Sequence, residues 1–454
     1  METAGGFKAW RAACAMLAAA AILSSAFASE LQSSPVRDHR SGLPIGSELN
    51  EDAGDNPREI FHSESLHGHR SYMSNLGNLA FNSPYTLGEV ARKAHMSCAT
   101  CHVNGASNPK LFIPGLSTRP GNFDTTNPLF NPKTDNGILD AVSIPSLRGA
   151  RFIGPYGHDG RSASLRDFVR NVVVNEFAGD EPPAEILDAL VAYIEDIDFL
   201  PNPGLADGGR LKAGATAAQR RGEILFSRPF AHDPSLSCAA CHIPSAAFVD
   251  HRQHDVGSGG LYKTPTLMNA DFNAPYFHDG RFQTFGQVID HFDRLFDLGL
   301  SPQERSDLAG YLAAIGGGIQ PEYRLTGGNV LADIDGFASV LEIAIARHDT
   351  GVVTLAVRTV TDLLGDLADH YPESVSGENG GGADERARAR AALAALLQIL
   401  QRIGADTAAD RYAEAAAEFL NYRKLSFATV PLALQAAEPS SLFMRQPARG
   451  GSSN

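Results

Sequence analysis

Hydrophobic residues recur at three- and four-residue spacing in several separate stretches of the chain, the signature of helices with one apolar face. Ile186, Leu187, Leu190 and Ile194 form one such stripe; Leu308, Tyr311, Leu312 and Ile315 form another. From about residue 327 the stripes follow one another closely. Val330, Ile334, Phe337, Leu341 and Ile345 come first, then Val353, Val357, Val360, Leu364 and Leu367. Leu393, Leu396, Leu400 and Ile403 come next, and Tyr412, Ala416 and Phe419 last. Four helices with short links predict a small antiparallel bundle over 327–425, followed by a C-terminal tail over 426–454. Clusters of turn formers mark the joints. Pro201-Asn202-Pro203-Gly204 through Gly208-Gly209 lies in a linker, 201–214, between segments 75–200 and 215–318. Gly316-Gly317-Gly318 closes the second segment, and a Gly-rich link spans Gly377 to Gly382. Residues 29–74 read as an N-terminal extension.

The chain opens on a different pattern. Lys8 and Arg11 lead into an apolar run from Ala12 to Ala21 with Ile22 and Leu23, and Ala26-Phe27-Ala28 supplies a small-x-small cleavage site. This is the layout of a secretory signal over 1–28. The run is shorter than the ~20 residues a bilayer-spanning helix needs, and Cys14 lies too early in it for lipid attachment. Cleavage removes Cys14 and the single tryptophan, Trp10, and predicts an exported, periplasmic protein with four cysteines and no membrane span. A net charge of −14, from 38 Lys+Arg against 52 Asp+Glu, argues against nucleic acid as a partner and favours basic ones. The 43% hydrophobic content excludes a wholly disordered chain.

The four cysteines fall as Cys98-Ala99-Thr100-Cys101-His102 and Cys238-Ala239-Ala240-Cys241-His242. In C-x-x-C-H the two thiols form thioethers with the vinyl groups of one haem, and the histidine becomes the proximal iron ligand. A zinc site leaves the trailing histidines unexplained and needs distant pairs to meet. A thioredoxin-like pair expects a βαβ context that the flanks lack. Disulfides within such short loops cross-link little. Two covalently bound haem c groups are therefore expected, with His102 and His242 as iron ligands.

The surroundings of each motif are duplicated. Ile144-Pro145-Ser146-Leu147-Arg148 and Gly154-Pro155-Tyr156-Gly157-His158-Asp159-Gly160-Arg161 recur 120 positions later. The second copies are Thr264-Pro265-Thr266-Leu267-Met268 and Ala274-Pro275-Tyr276-Phe277-His278-Asp279-Gly280-Arg281. Each D-G-R is followed by a helix start: Ser164-x-x-Asp167 resembles a capping box, and Thr284-x-x-Gln287 reads as one.

Over residues 75–318 this arrangement resembles the bacterial dihaem cytochrome c peroxidase and MauG superfamily. The likeness is strongest where Arg221-Gly222, Leu225-Phe226, Cys238 to His242, Phe248-x-Asp250, Val256-Gly257 and Thr264 to Gly280 follow in order. It implies a mostly α fold: two tandem cytochrome c-like domains, here followed by the small C-terminal helical bundle. In the family a first-half haem meets hydrogen peroxide, and the second-half haem passes electrons from a small donor, a cytochrome c or a cupredoxin. Calcium often lies between the domains, and Asn273 and Pro275 occupy that stretch here.

Several positions depart from the family pattern. His158 stands where members carry a tryptophan thought to bridge the haems. Phe292 aligns with a Met or Tyr iron ligand, and His291 stands beside it. Glu176 matches the family's acidic base, while Phe168 replaces a glutamine.

Reducing peroxide requires an accessible iron, a proton-moving group and an electron supply. Glu176 is the candidate base, against a solvated carboxylate at a helix end. His158 is placed between the haems or on the distal side of the first, and His278 with Arg281 at a haem edge, bonding a propionate. Both histidines precede Asp-Gly, so packing within a turn is the alternative. His291 and Met268 are candidate sixth ligands of the second haem, against an ordinary core methionine; His251 and His254 are expected to line a loop. The expected activity is peroxide reduction. The competing readings are a MauG-like high-valent haem oxidase acting on a protein substrate, and a non-enzymatic dihaem electron carrier.

Overall fold

The computed structural model describes residues 42–49, 57–321, 323–374 and 382–445. The expected signal over 1–28, much of the extension, most of the link from Gly377 to Gly382 and the end of the tail lie outside the described residues.

The first half begins with α1 (Tyr72–Phe81), capped by the Ser71 hydroxyl, which accepts from the Ser74 amide. The first C-x-x-C forms a single turn, α2 (Cys98–Cys101). Then come α3 (Leu165–Asn171), a π-helical turn over Val172–Glu176, and α4 (Ala184–Asp196). The second half repeats the plan with α5 (Ala217–Phe226), α6 (Cys238–Cys241), α7 (Phe285–Leu295) and α8 (Pro302–Gly316). Thr216–Gln219 and Ser301–Glu304 form reciprocal capping boxes at the starts of α5 and α8. At α7 the box is only half made. Thr284 accepts from the Gln287 amide, but the Gln287 side-chain carbonyl takes its hydrogen from the Gln283 amide instead.

In each half the first helix crosses the last at a glycine. A Cβ on Gly77 would sit 1.9 Å from the Ala189 carbonyl oxygen, and one on Gly222 would sit 2.2 Å from that of Asp307. No larger residue fits this close approach, which outweighs the ~1 kcal/mol that glycine costs inside a helix. The crossings seat Tyr193 against Phe81 and Tyr311 against Phe226, with centroids 5.0 and 5.1 Å apart.

Two small antiparallel ladders, which the sequence pattern did not reveal, precede the P-S/T-L turns. They are β1 (Asn122–Phe123) with β2 (Val142–Ser143), and β3 (Gln253–His254) with β4 (Tyr262–Lys263). The two halves are stitched together reciprocally here. The Ser143 amide donates to the His278 carbonyl at 2.7 Å, and the Lys263 amide donates to the His158 carbonyl at 3.0 Å. Arg119 reaches the carbonyls of Asp279 and Gly280 in the second turn, and Gln253 reaches that of Asp159 in the first.

The C-terminal region comprises α9 (Gly327–Ala338), α10 (Val340–Ala346), α11 (Thr350–Asp369), α12 (Ala383–Ala408), α13 (Tyr412–Ala428) and α14 (Val430–Ala437). The first expected stripe thus spans two helices that meet at Ser339. The expected tail is also helical at its start. Pro431 stands in the first turn of α14, where its missing N–H costs nothing, and Val430 and Leu434 are buried. The bundle is not a separate lobe: its core runs on into that of the first half, with Leu76 and Leu79 in the same apolar cluster as Leu331, Ile334 and Leu341. Tyr85 donates to Asp362 at 2.8 Å, and a buried Thr359–Ser83 hydroxyl pair lies 2.7 Å apart.

Candidate haem centres

Each C-x-x-C turn ends with its histidine ring fixed from behind. The His102 Nδ1–H donates to the Pro145 carbonyl at 3.0 Å. The His242 Nδ1–H donates to the Phe248 carbonyl at 3.1 Å, with the Pro265 carbonyl also facing it. A bond at Nδ1 leaves Nε2 as the free lone pair, which is the tautomer a metal ligand needs. Phe81 and Phe226 each flank their histidine, with centroids 6.4 Å away. Burial drives His102 down to about 4 and also lowers His242, so both rings are neutral.

Cys98, Cys238 and Cys241 are free thiols. Burial pushes Cys98 up to about 12 and Cys238 up to about 11. Such thiols are poor redox nucleophiles but remain available for thioether bonds. Two cysteines and one neutral, pre-oriented imidazole per half fit covalent haem, with Cys98, Cys101 and His102 to hold one group and Cys238, Cys241 and His242 the other.

Glu176 ends the π-helical turn, a distortion often found at functional sites. The residue is 8% exposed, so it is not the solvated helix-end group of the alternative reading. It accepts from Arg161 Nη2 at 2.9 Å and from Asn171 Nδ2 at 3.4 Å. Burial raises its pKa against the opposing pull of Arg161. Its neighbours Val173 and Phe177 belong to the apolar cluster that Cys98 and Cys101 pack against.

His158 lies between the halves. Its Nε2–H donates to the Ser143 carbonyl at 2.7 Å, and burial lowers it to about 4. His278 stacks face to face on Tyr262, with centroids 3.7 Å apart at 13°. Arg281 pairs with Asp279 at 2.7 Å and lies over the Phe277 ring. The structure thus gives both turn histidines partners at the junction.

His291 is on α7. Its Nε2–H donates to the Val256 carbonyl at 2.7 Å, and the rings of Phe277, Phe282 and Phe292 surround it. Met268 follows the turn whose Pro265 carbonyl backs His242. It lines a cleft of about 530 Å³ with Phe152, Phe199, Pro244 and His251. His251 and His254 are not merely loop residues. The first donates to the Gly154 carbonyl at 2.6 Å across the junction, and the second pairs with Asp250 at 2.7 Å from β3. Asn273 closes the short turn Ala270–Phe272.

The sequence reading passed over the crossing glycines, the phenylalanines and tyrosines behind the histidines, and Arg161 as partner of Glu176. A signal was present. G-x-x-x-F occurs at Gly77–Phe81 and Gly222–Phe226, and L-x-x-Y at Leu190–Tyr193 and Leu308–Tyr311.

Comparison with known proteins agrees with this geometry. Residues 219–304 match the family model described as di-haem cytochrome c peroxidase. The chain is 26% identical to hydrazine synthase subunit gamma of Kuenenia stuttgartiensis, over 40% of this chain and 66% of that one. It is 24% identical to the methylamine utilization protein MauG of Methylorubrum extorquens, over 53% of this chain and 77% of that one. It is 21% identical to the cytochrome c551 peroxidase of Nitrosomonas europaea, over 56% and 82% respectively. No described helix is long and apolar enough to cross a membrane. Two histidine-backed C-x-x-C turns in duplicated helical halves, together with these matches, support the dihaem cytochrome c peroxidase and MauG superfamily and a peroxidase-type oxidoreductase.

Proposed function

We propose that the protein is a periplasmic dihaem peroxidase that reduces hydrogen peroxide in its first half, with electrons delivered through its second half from a small redox protein. The observation that carries this reading is the buried Glu176 carboxylate, gripped by Arg161 and Asn171 beside the first haem motif. At the corresponding place in the second half, 120 positions on, stands Phe296.

Haem bound at the first motif supplies an iron at which the peroxide O–O bond is broken reductively. Hydrogen peroxide then needs one proton moved from the oxygen that stays to the oxygen that leaves as water. Glu176 is the group that accepts and returns that proton. Its raised pKa brings it closer to neutrality than an exposed glutamate, which suits a residue that must hold a proton and give it up. Arg161 keeps the carboxylate aimed and favours its ionised form, and Asn171 donates to the same oxygen.

In the second half His291 takes part in a closed aromatic environment, the expected setting for a site that stores or passes electrons. The excess of acidic residues favours a basic donor such as a small cytochrome c. The test is Glu176→Gln in the dihaem protein, with peroxide turnover measured against a reduced donor. The proposal expects a loss of about a hundredfold or more with both haem spectra intact. Unchanged turnover, or no turnover in the unsubstituted protein after reductive activation, overturns it; the second result favours a dihaem electron carrier.

A further inference from the structure

We propose that Tyr262, stacked on His278, is the redox-active side chain through which electrons pass between the two haem sites; this rests on the dihaem reading above. The stack sits where the halves cross. Tyr262 precedes Lys263, whose amide donates to the His158 carbonyl at 3.0 Å, and the His278 carbonyl accepts from the Ser143 amide at 2.7 Å. His158 closes the ring of contacts by donating to the Ser143 carbonyl at 2.7 Å.

Each side of this crossing leads directly to a haem motif. Pro145, two residues past Ser143, carries the carbonyl bonded to His102. Pro265, two residues past Lys263, carries the carbonyl facing His242. A short covalent and hydrogen-bonded path therefore joins the histidines of the two motifs, and the aromatic pair lies at its midpoint. Lys263 fixes β4 in place, its Nζ donating to the Ile153 carbonyl at 2.8 Å over the Tyr156 ring.

Of the rings at the crossing, imidazoles are hard to oxidise and a phenol is not. Tyr262 and His278 lie 3.7 Å apart and nearly parallel, so their π systems overlap. The chain's one tryptophan is at position 10, far from this place in sequence. In the transfer Tyr262 gives one electron to the oxidised first-half site and its phenolic proton to solvent, which reaches the half-buried ring. It then takes one electron from the reduced second-half site and one proton back from solvent. Tyr262 ends unchanged, one site is reduced by one electron and the other is oxidised by one.

The test uses the dihaem protein and its Tyr262→Phe variant, which keeps the stack and removes the oxidisable phenol. Two readouts are followed: electron redistribution between the haems by stopped-flow absorbance after half-reduction, and the electron paramagnetic resonance spectrum after rapid freezing with peroxide. The expected result is a tyrosyl radical signal that the variant lacks, and redistribution slowed by about tenfold or more. Covalent haem content and both resting spectra stay unchanged. Equal redistribution rates and equal radical signals overturn the assignment of Tyr262. A protein that carries fewer than two covalent haems contradicts the underlying dihaem reading instead.

Discussion

The two halves share a frame and differ in what that frame surrounds. Both cross their terminal helices at a glycine, both place a Phe and a Tyr behind the proximal histidine, and both close the D-G-R turn with a bridge, Tyr156 to Ser162 and Tyr276 to Phe282. At the same offset of 120, however, Glu176 faces Phe296 as counterpart, Asn171 faces His291 and Gly157 faces Phe277. Even the matched arginines differ in use. Arg161 reaches the buried carboxylate, whereas Arg281 stays with Asp279 and lies over Phe277. A duplicated scaffold can therefore keep everything that attaches and orients a haem while the few residues on the α3 and α7 sides set its chemistry. The first half has a hydrogen-bonded acid, and the second has an aromatic enclosure.

The comparison breaks most completely at the attachment motifs. Replacing Cys98 and Cys101 by alanine is expected to leave a protein with one covalent haem and no peroxide turnover, counted by mass and by haem absorbance. The same change at Cys238 and Cys241 leaves the first haem in place but starves it of electrons. A contrast of about a hundredfold or more is expected between Glu176→Gln and Phe296→Leu, the second changing turnover less than about threefold.

The pH profile sharpens the same contrast. Burial raises the Glu176 pKa, and the base form is the active one. Turnover therefore rises with pH as this group ionises and is lost on acidification at a higher pH than an exposed glutamate would show. In Glu176→Gln that acidic limb disappears from the residual rate.

Smaller effects test the shared frame. Gly77→Ala and Gly222→Ala both force a Cβ onto a backbone carbonyl, and each is expected to cost about 1–3 kcal/mol in denaturant unfolding. Tyr85→Phe removes a hydrogen bond to Asp362 that ties the bundle to the first half. It is expected to cost about 0.5–1.5 kcal/mol.

Much of this was legible in the sequence because it is written locally. C-x-x-C-H is a contiguous motif, the 120-residue repeat needs no alignment, and most helical stripes map onto observed helices. The fused bundle was not legible. An amphipathic helix does not reveal which neighbour covers its apolar face, and here that neighbour is α1 of the first half. The helical start of the tail was not legible: Pro431 stands in the first turn of α14, where a proline opens a helix as readily as it ends one. The Glu176–Arg161 pair was only half visible, since the arginine comes from a turn brought close by the fold. The Tyr262–His278 stack was hidden for the same reason, as β4 and the second D-G-R turn meet only in the folded second half.

The central claim is that the two halves present different haem environments, one open to peroxide and one closed. The most direct measurement is electron paramagnetic resonance of the dihaem protein, fully oxidised and half-reduced, with and without peroxide. The account predicts two distinct signals. One, lost with the Cys98 and Cys101 substitutions, is high-spin or becomes so on half-reduction and changes with peroxide; the other stays low-spin throughout. Two low-spin signals that ignore peroxide in every state would contradict it.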